Sequence, residues 1–505
     1  MNIYGSLACG SSFCQCIVCP GVRAIHCRTP GILSIISSLI FQRNPIKHIK
    51  PMTPLHIIVL AAGNSTRLKS NLTKVMHPIA GRPMIDYVLQ VARDLKPEKI
   101  CMVLGMDREK IVNHLRGQRD LVFAHQKERL GTAHAVQTGL KALGNISGEV
   151  VILSGDVPRL RFKTLKDLPQ VSSTAPLALL TAVLPNPQGY GRILRDSHGQ
   201  IFGIVEEKNA TPEERQINEV NAGVYRVEAG FLKRAIAKIK KDPIKKEFYL
   251  TELVSQAIAE KIPVLSFAVE NSQEILGANT RAEMAYLNQL VNQEIVAYHL
   301  SQGVGMQDPN TIYIDAMVKL GADTFLGAGV QLLGPTIVGK GCQIEAGSIL
   351  KNSKIGDEVQ VKAYSYLEEC VVQSKAVIGP FARLRPETVV AEEAHVGNFV
   401  ELKKTRLGKG SKANHLSYLG DSIIGAKVNI GAGTITCNYD GKKKYRTTIG
   451  DGVFIGSDTQ LVAPVKVGKN AYIGAGTTVT KNVPAGSLAV SRVPQKNVSR
   501  YSKNK

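Results

Sequence analysis

Two cations and a carboxylate lie beside small-residue turns in the first half of the chain, a grouping that suits a phosphorylated nucleotide. The run His56-Ile57-Ile58-Val59-Leu60 reads as a buried strand, and Ala61-Ala62-Gly63-Asn64-Ser65-Thr66-Arg67-Leu68 turns it toward a helix. Small side chains let the backbone approach a nucleotide closely, and the free amides of a helix N-terminus favour phosphate. Arg67, and Lys74 at loop distance beyond it, supply positive charge. A second apolar strand, Val150 to Leu153, runs into Ser154-Gly155-Asp156. This puts a carboxylate at a strand's C-terminal end, where open α/β sheets bind ligands and metals. Between the two strands, Gln126 and Leu130-Gly131-Thr132 add an amide and another small-residue turn.

The second half carries a different set. Arg385, Lys403, His415 and Tyr418 stand next to inward aliphatics or at corners of a repeating pattern, where they cannot be core. An imidazole that titrates near neutrality can take a proton from an amine during acyl transfer. What positions them is a period of six: Val372, Ile378, Leu384, Val390, Val396, Leu402, and again Ile449, Ile455, Leu461, Val467, Ile473, Val479. Six fits neither a helix nor a single strand. It fits a solenoid with three flat faces per coil, each face a short strand with one inward aliphatic. Small residues beside the aliphatic, as in Ile355-Gly356, Ile378-Gly379, Val396-Gly397, Ile455-Gly456 and Ile473-Gly474, suit tight corners. From about Asp315 to Val483 there is room for roughly nine coils of eighteen residues. The register breaks between Ile430 and Ile449, which are nineteen residues apart instead of eighteen. The interval holds Asn438-Tyr439-Asp440-Gly441-Lys442-Lys443-Lys444, a protruding loop of the kind that builds a site.

The 505 residues allow two or three domains, and 44% hydrophobic content gives each a core. A net charge of +22 suits phosphorylated small substrates. Aromatics are only 5% and do not interleave with the basic residues, so nucleic-acid binding is not expected. Of nine cysteines, Cys9, Cys14, Cys16, Cys19 and Cys27 fall near the start in no ordinary zinc spacing. Cys101, Cys342, Cys370 and Cys437 read as free thiols of a reducing compartment. Residues 1–51 hold no acidic residue, and their apolar run from Ile32 to Phe41 is too short to span a bilayer. They read as disordered, or as a leader upstream of a start at Met52, and carry no chemistry. Met284, Leu287, Val291, Ile295 and Tyr298 give a connecting helix from about Thr280 to Ser301, ending at Gly303. Basic residues from Lys233 to Lys246 read as the solvated face of another helix and loop.

Leu60-Ala61-Ala62-Gly63, Arg67, Lys74, Leu130-Gly131-Thr132, Gly155-Asp156 and Gly189-Tyr190-Gly191-Arg192 together resemble a sugar-1-phosphate nucleotidyltransferase. The six-residue repeat resembles the left-handed hexapeptide β-helix of many acyltransferases. In this order, from roughly Leu55 to Arg492, the chain resembles the bifunctional N-acetylglucosamine-1-phosphate uridylyltransferase/glucosamine-1-phosphate N-acetyltransferase family. The resemblance implies an α/β Rossmann-like nucleotidyltransferase domain followed by a left-handed parallel β-helix. It divides the chain into an extension (1–53), a uridylyltransferase domain (54–279), a linker helix (280–303), the β-helix (304–492) and a basic tail (493–505).

It also implies roles. Leu60, Ala61, Ala62, Gly63, Gln126, Gly131 and Thr132 would hold the uridine of UTP; Arg67 and Lys74 would neutralise the triphosphate; Asp156 with Asn279 would hold Mg²⁺. Ser154 would line the nucleotide-sugar pocket, and Gly191, Glu206 and Asn221 would grip the sugar. In the second half His415 would be the base, Arg385 and Lys403 would hold the sugar phosphate, and Tyr418 and Asn429 the sugar. Asn438 and Tyr439 would lie near the acetyl group, and Ala432, Ser457, Ala475 and Arg492 would contact acetyl-CoA. Partners would be glucosamine 1-phosphate, acetyl-CoA and UTP, in a cytoplasmic homotrimer that touches neither nucleic acid nor membrane and feeds bacterial envelope synthesis. Taken singly, Arg67 and Lys74 read as solvated charges, Asp156 as a strand-end cap, and His415 as a corner residue. Ser65, Leu68, Thr73, Ser154, Ala222 and Asn414 depart from the family's usual residues without removing a charge or a ligand. Two alternatives stand beside this reading: a single-activity nucleotidyltransferase with a structural hexapeptide half, and a catalytically inactive binding subunit.

Overall fold

The computed structural model describes residues 53–63, 66–106, 108–242 and 246–499. The N-terminal extension with its five cysteines, Asn64, Ser65 and the last six residues of the tail lie outside the described residues.

The first half supplies β1 (Leu55–Ala61), a small hairpin of β2 (Pro78–Ile79) and β3 (Arg82–Pro83), β4 (Lys99–Leu104), β5 (Leu121–His125), β6 (Glu149–Ser154), β7 (Leu177–Val183), β8 (Arg192–Arg195), β9 (Ile201–Val205), β10 (Glu219–Glu228) and β11 (Val264–Ala268). Their spatial order is β5-β4-β1-β6-β10-β7-β11, with β8 joined to β10 and β9 to β8. β5, β4, β1 and β6 run parallel, and β10 runs against both β6 and β7. Ile57, Val59, Met102, Leu104, Val151 and Leu153 pack on one face, and Ile58, Cys101, Val103, Val150 and Ile152 on the other. Burial on both faces is why these strands are continuous apolar runs with no polar alternation.

The expected helix after β1 does not form. The described chain there makes only short 3₁₀ turns, Thr66–Leu68 and Lys74–Met76, and the first α-helix is Met84–Asp94. The Ser70 hydroxyl accepts from the amide of Leu72, which offers the backbone an alternative to a helical bond.

The connecting helix, Arg281–Ser301, opens with a capping box between Thr280 and Glu283. Met284, Leu287 and Val291 are buried as the stripe requires, but Tyr298 is 60% exposed and Val296 and His299 are buried instead. The stripe drifts because the helix changes partners. Its first turns pack on Leu68, Ile79 and Met84 of the first half, and Val296 joins the core of the second half.

That second half is a parallel β-helix running from Gly305–Met306 to Leu488–Ala489, its short strands stacked into sheets of eleven, ten and nine strands. One core of single inward aliphatics, including Val372, Ile378, Leu384, Val390, Val396 and Leu402, runs its length. Each such residue contributes about 1.5–3 kcal/mol by leaving water. The glycine after the aliphatic serves close approach between coils: a Cβ on Gly456 would meet the Ala475 amide nitrogen at 2.5 Å. The register break needs correcting. Ile430 stacks on Ile455 and Ile424 on Ile449, so Ile430 and Ile449 belong to different faces. The inserted loop lies between the strands Ile435–Cys437 and Thr447–Ile449. Most other coils take either seventeen residues, as Val396 to Ala413, or eighteen, as Leu384 to Leu402. Cys101, Cys342, Cys370 and Cys437 are free thiols, as expected.

Candidate active sites

Parallel pairing aligns the ends of β1 and β6, with Leu60 opposite Ser154, and the Gly155 amide donates to the Leu60 carbonyl. Asp156 therefore emerges beside Ala61, Ala62 and Gly63. A Cβ on Gly155 would sit 3.1 Å from the Leu60 carbonyl, which keeps this crossing narrow. Lys74 reaches the same point from its 3₁₀ turn, its side chain only 10% exposed. Its ammonium contacts Asp156 Oδ2 and lies 2.7 Å from Asn279 Oδ1, and the Arg67 guanidinium donates to that same Asn279 oxygen at 3.1 Å. Asn279 is set by the connecting helix, because Glu283 of the capping box accepts from the Asn279 amide. Two hard oxygen donors thus converge on one cation, a donor set that fits Mg²⁺ completed by water and phosphate.

Around this centre, Gln126 is buried after β5, with its amide nitrogen 3.1 Å from the Gly131 carbonyl and 3.1 Å from His134 Nδ1. Gly131, at φ 103°, precedes the helix Thr132–Leu143; a Cβ there would strike the Phe248 carbonyl at 2.4 Å. Thr132 accepts from the Leu250 amide. The strands β8, β9 and β10 place Gly191, Glu206 and Asn221. A Cβ built on Gly191 would lie 3.1 Å from the Ile204 side chain and 3.8 Å from the Glu206 carboxylate, and the Asn221 side-chain amide donates to the Tyr225 hydroxyl at 2.7 Å. Arg192, 2% exposed, binds Glu207 at 2.7 Å and donates to the Tyr190 carbonyl, so it ties the Gly191 loop to the end of β9. Burial pushes the Glu206 carboxyl above the usual carboxylate range, only partly countered by the Thr251 hydroxyl that donates to it.

On the β-helix, coil stacking brings together residues far apart in sequence. Arg385, Lys403 and Tyr418 stand on the sheet that contains Arg383–Leu384, Glu401–Lys403 and Tyr418–Gly420. Arg385 pairs with Glu401 at 2.8 Å. His415 ends the strand Lys412–His415 on the neighbouring sheet and is exposed, and its Nδ1 lies 2.9 Å from Asn398 Oδ1 one coil below. An amide oxygen only accepts, so Nδ1 is the nitrogen that donates to it, and in the neutral ring the lone pair then falls on Nε2. Asn438 is buried, with its side-chain amide donating to the Asp421 carboxylate and its backbone carbonyl accepting from the Tyr445 amide. Tyr439 and Lys444 form a bridge that closes the inserted loop. Lys444, which the sequence reading passed over, lies against Lys403, whose ammonium holds the Lys444 pKa below the usual lysine range. The only available signal was the Lys442-Lys443-Lys444 run inside the insertion. Asn398 had no signal, since its contact depends on coil length.

Ala432, Ser457 and Ala475 stack at one corner of successive coils: the Asp458 amide donates to Ala432, and that of Gly476 to Ser457. The Arg492 guanidinium reaches the Ala475 carbonyl at 2.9 Å. Asn429 belongs to the sheet of His415, not to that of Arg385, Lys403 and Tyr418, so the chain divides this set between two faces.

Comparison with known proteins agrees with both halves. The MobA-like NTP transferase domain family matches residues 57–197, the GMPPB C-terminal domain family residues 309–407, and the bacterial transferase hexapeptide family (six repeats) residues 446–481. The bifunctional protein GlmU of Pelobacter propionicus is 49% identical over 442 residues, 87% of this chain and 96% of that protein. That of Geotalea uraniireducens is 47% identical, covering 88% and 98%, and that of Geobacter sulfurreducens is 45% identical, covering 88% and 98%. With a nucleotidyltransferase sheet, a hexapeptide β-helix of the left-handed class, and this identity across nearly the whole length of its relatives, the chain belongs to the GlmU family of bifunctional proteins.

Proposed function

We propose that the chain performs two reactions: acetyl transfer from acetyl-CoA to the amine of glucosamine 1-phosphate on the β-helix, then Mg²⁺-dependent uridylyl transfer from UTP to the resulting N-acetylglucosamine 1-phosphate, releasing pyrophosphate. What carries the reading is that one chain holds two separate groups of suitable residues, the Arg67, Lys74, Asp156, Asn279 cluster in one half and, in the other, the imidazole beside Asn398 on one sheet of the β-helix with Arg385, Lys403 and Lys444 on the neighbouring face.

In the first half the sugar phosphate is already an anion and needs no general base, so positioning and charge neutralisation do the work. Asp156 and Asn279 would hold Mg²⁺, which would supply positive charge to the phosphates. Lys74 and Arg67 stand where they neutralise the triphosphate; Gly63, Gln126, Gly131 and Thr132 shape the nucleotide pocket, and Gly191, Glu206 and Asn221 the sugar pocket. In the second half His415 Nε2 takes the amine proton as the tetrahedral centre forms. Arg385, Lys403 and Lys444 hold the phosphate, and the Asn438 amide stands by the acetyl group.

We assign the assembly as a homotrimer. The flat, repeated faces of the parallel coil stack support it, since they offer surfaces for threefold packing. A cytoplasmic location follows from the metabolites used and fits the free thiols. Among the described residues no helix is long and apolar enough to cross a membrane.

The test supplies purified protein with glucosamine 1-phosphate, acetyl-CoA, UTP and Mg²⁺, and follows CoA thiol and pyrophosphate separately. CoA release should proceed without UTP, and pyrophosphate release should require either acetyl-CoA or supplied N-acetylglucosamine 1-phosphate. Pyrophosphate release without CoA release under any condition would reduce the β-helix to a scaffold.

A further inference from the structure

The two oxygens suited to a divalent cation, Asp156 Oδ2 and Asn279 Oδ1, are both engaged by one ammonium, that of Lys74. We propose that Lys74 is a gate on this site: it occupies the oxygen pair in the ligand-free enzyme and withdraws only when nucleotide phosphates draw it off, so the free enzyme takes up a divalent cation poorly and cation and nucleotide enter together. The inference rests on reading Asp156 and Asn279 as the cation's protein ligands.

The geometry makes the two cations mutually exclusive. Asn279 Oδ1 already accepts from Lys74 and Arg67, which uses both of its lone pairs. An entering divalent ion must break the contacts to Lys74 and then sit beside the displaced charge. Lys74 has little room to go elsewhere, since its side chain is 10% exposed. A triphosphate removes both obstacles, because its oxygens accept the ammonium and share the ion. The swing needs only the lysine's four-carbon stem. Its backbone is held by bonds from Met76 to Thr73, His77 to Lys74, and Met84 to His77. Linkage then requires reciprocity: the factor by which nucleotide raises cation affinity is the factor by which the cation raises nucleotide affinity.

The test is Mn²⁺ binding to the full-length, nucleotide-free protein, read by the EPR signal of free Mn²⁺. Lys74→Met should bind Mn²⁺ about tenfold or more tightly than the wild type, from loss of a charge-assisted contact. Lys74→Arg keeps the positive charge and should remain as weak as the wild type. CoA release in each variant reports that the fold persists. A Lys74→Met affinity within twofold of wild type, with binding still abolished by Asp156→Ala, overturns the gate alone. Binding in Lys74→Met that survives Asp156→Ala overturns the ligand reading, and the gate with it.

Discussion

His415 and its partner Asn398 allow the acetyl-transfer reading to be tested by magnitude as well as by sign. Removing the base in His415→Ala should slow acetyl transfer by about 10² to 10⁴, or about 3–5 kcal/mol of barrier. Asn398 touches only Nδ1, at 2.9 Å. Asn398→Ala loses one hydrogen bond of about 1 kcal/mol net and should cost about fivefold, from rings that turn away or carry the proton on Nε2. Asn398→Asp keeps the acceptor but adds a negative charge that favours the imidazolium, so the acid limb of the pH profile of kcat/KM should move to higher pH. The assay is release of CoA thiol at varied glucosamine 1-phosphate, with uridylyl transfer from supplied N-acetylglucosamine 1-phosphate as the control for fold. KM should change little in His415→Ala, because the phosphate contacts remain. A His415→Ala rate within about threefold of wild type would falsify the assignment of the base, since a positioned base contributes far more. An unmoved pH profile in Asn398→Asp would separate Asn398 from the imidazole in solution.

Three further outcomes follow from the same geometry. Asp156→Ala should abolish Mg²⁺-dependent pyrophosphate release while CoA release persists, and equal loss of both in folded protein would refute separate sites. Lys444→Ala should raise the KM for glucosamine 1-phosphate and weaken its dependence on ionic strength with kcat nearly unchanged; an unaltered KM removes Lys444 from the phosphate contacts. Glu206 has its carboxyl raised in the folded state by burial, so ionisation costs stability above that raised value and the cost disappears as pH falls through it. Glu206→Gln should therefore raise the Tm at pH 8 and leave it unchanged near pH 4, with a higher KM for the sugar phosphate; a Tm difference that grows toward acid pH contradicts this sign.

Features written in local periodicity were legible from the sequence. Val150 to Leu153 reads as a strand because both of its faces are covered, and Leu384 to Leu402 reads as solenoid because each face takes one aliphatic. The helix after β1 was misread because small residues and a strand end describe a turn without revealing that the Ser70 hydroxyl competes for the backbone. The insertion at Asn438 to Lys444 was legible, but its length was undercounted, because six-residue steps align Ile430 with Ile449 although Ile430 stacks on Ile455 and Ile449 lies on another face. For the sites, residue types and order were readable, while the contact of Asn398 with His415, that of Lys403 with Lys444, and the engagement of Asn279 by two cations all arise between residues that only tertiary structure makes neighbours.

The drift of the connecting helix, which carries Val296 into the solenoid core, bears on the protein's solubility. A stack of parallel coils ends in unpaired backbone donors and acceptors above an exposed apolar bore, a template for another chain to continue. Val296 and the half-buried Ile295 lie over the first coils, packed against the same core as Val304 and Ile312, and act there as a stopper. The segment whose capping box holds Asn279 at one active site thus also covers apolar core at the start of the coil stack, where an uncovered end would offer another chain a template.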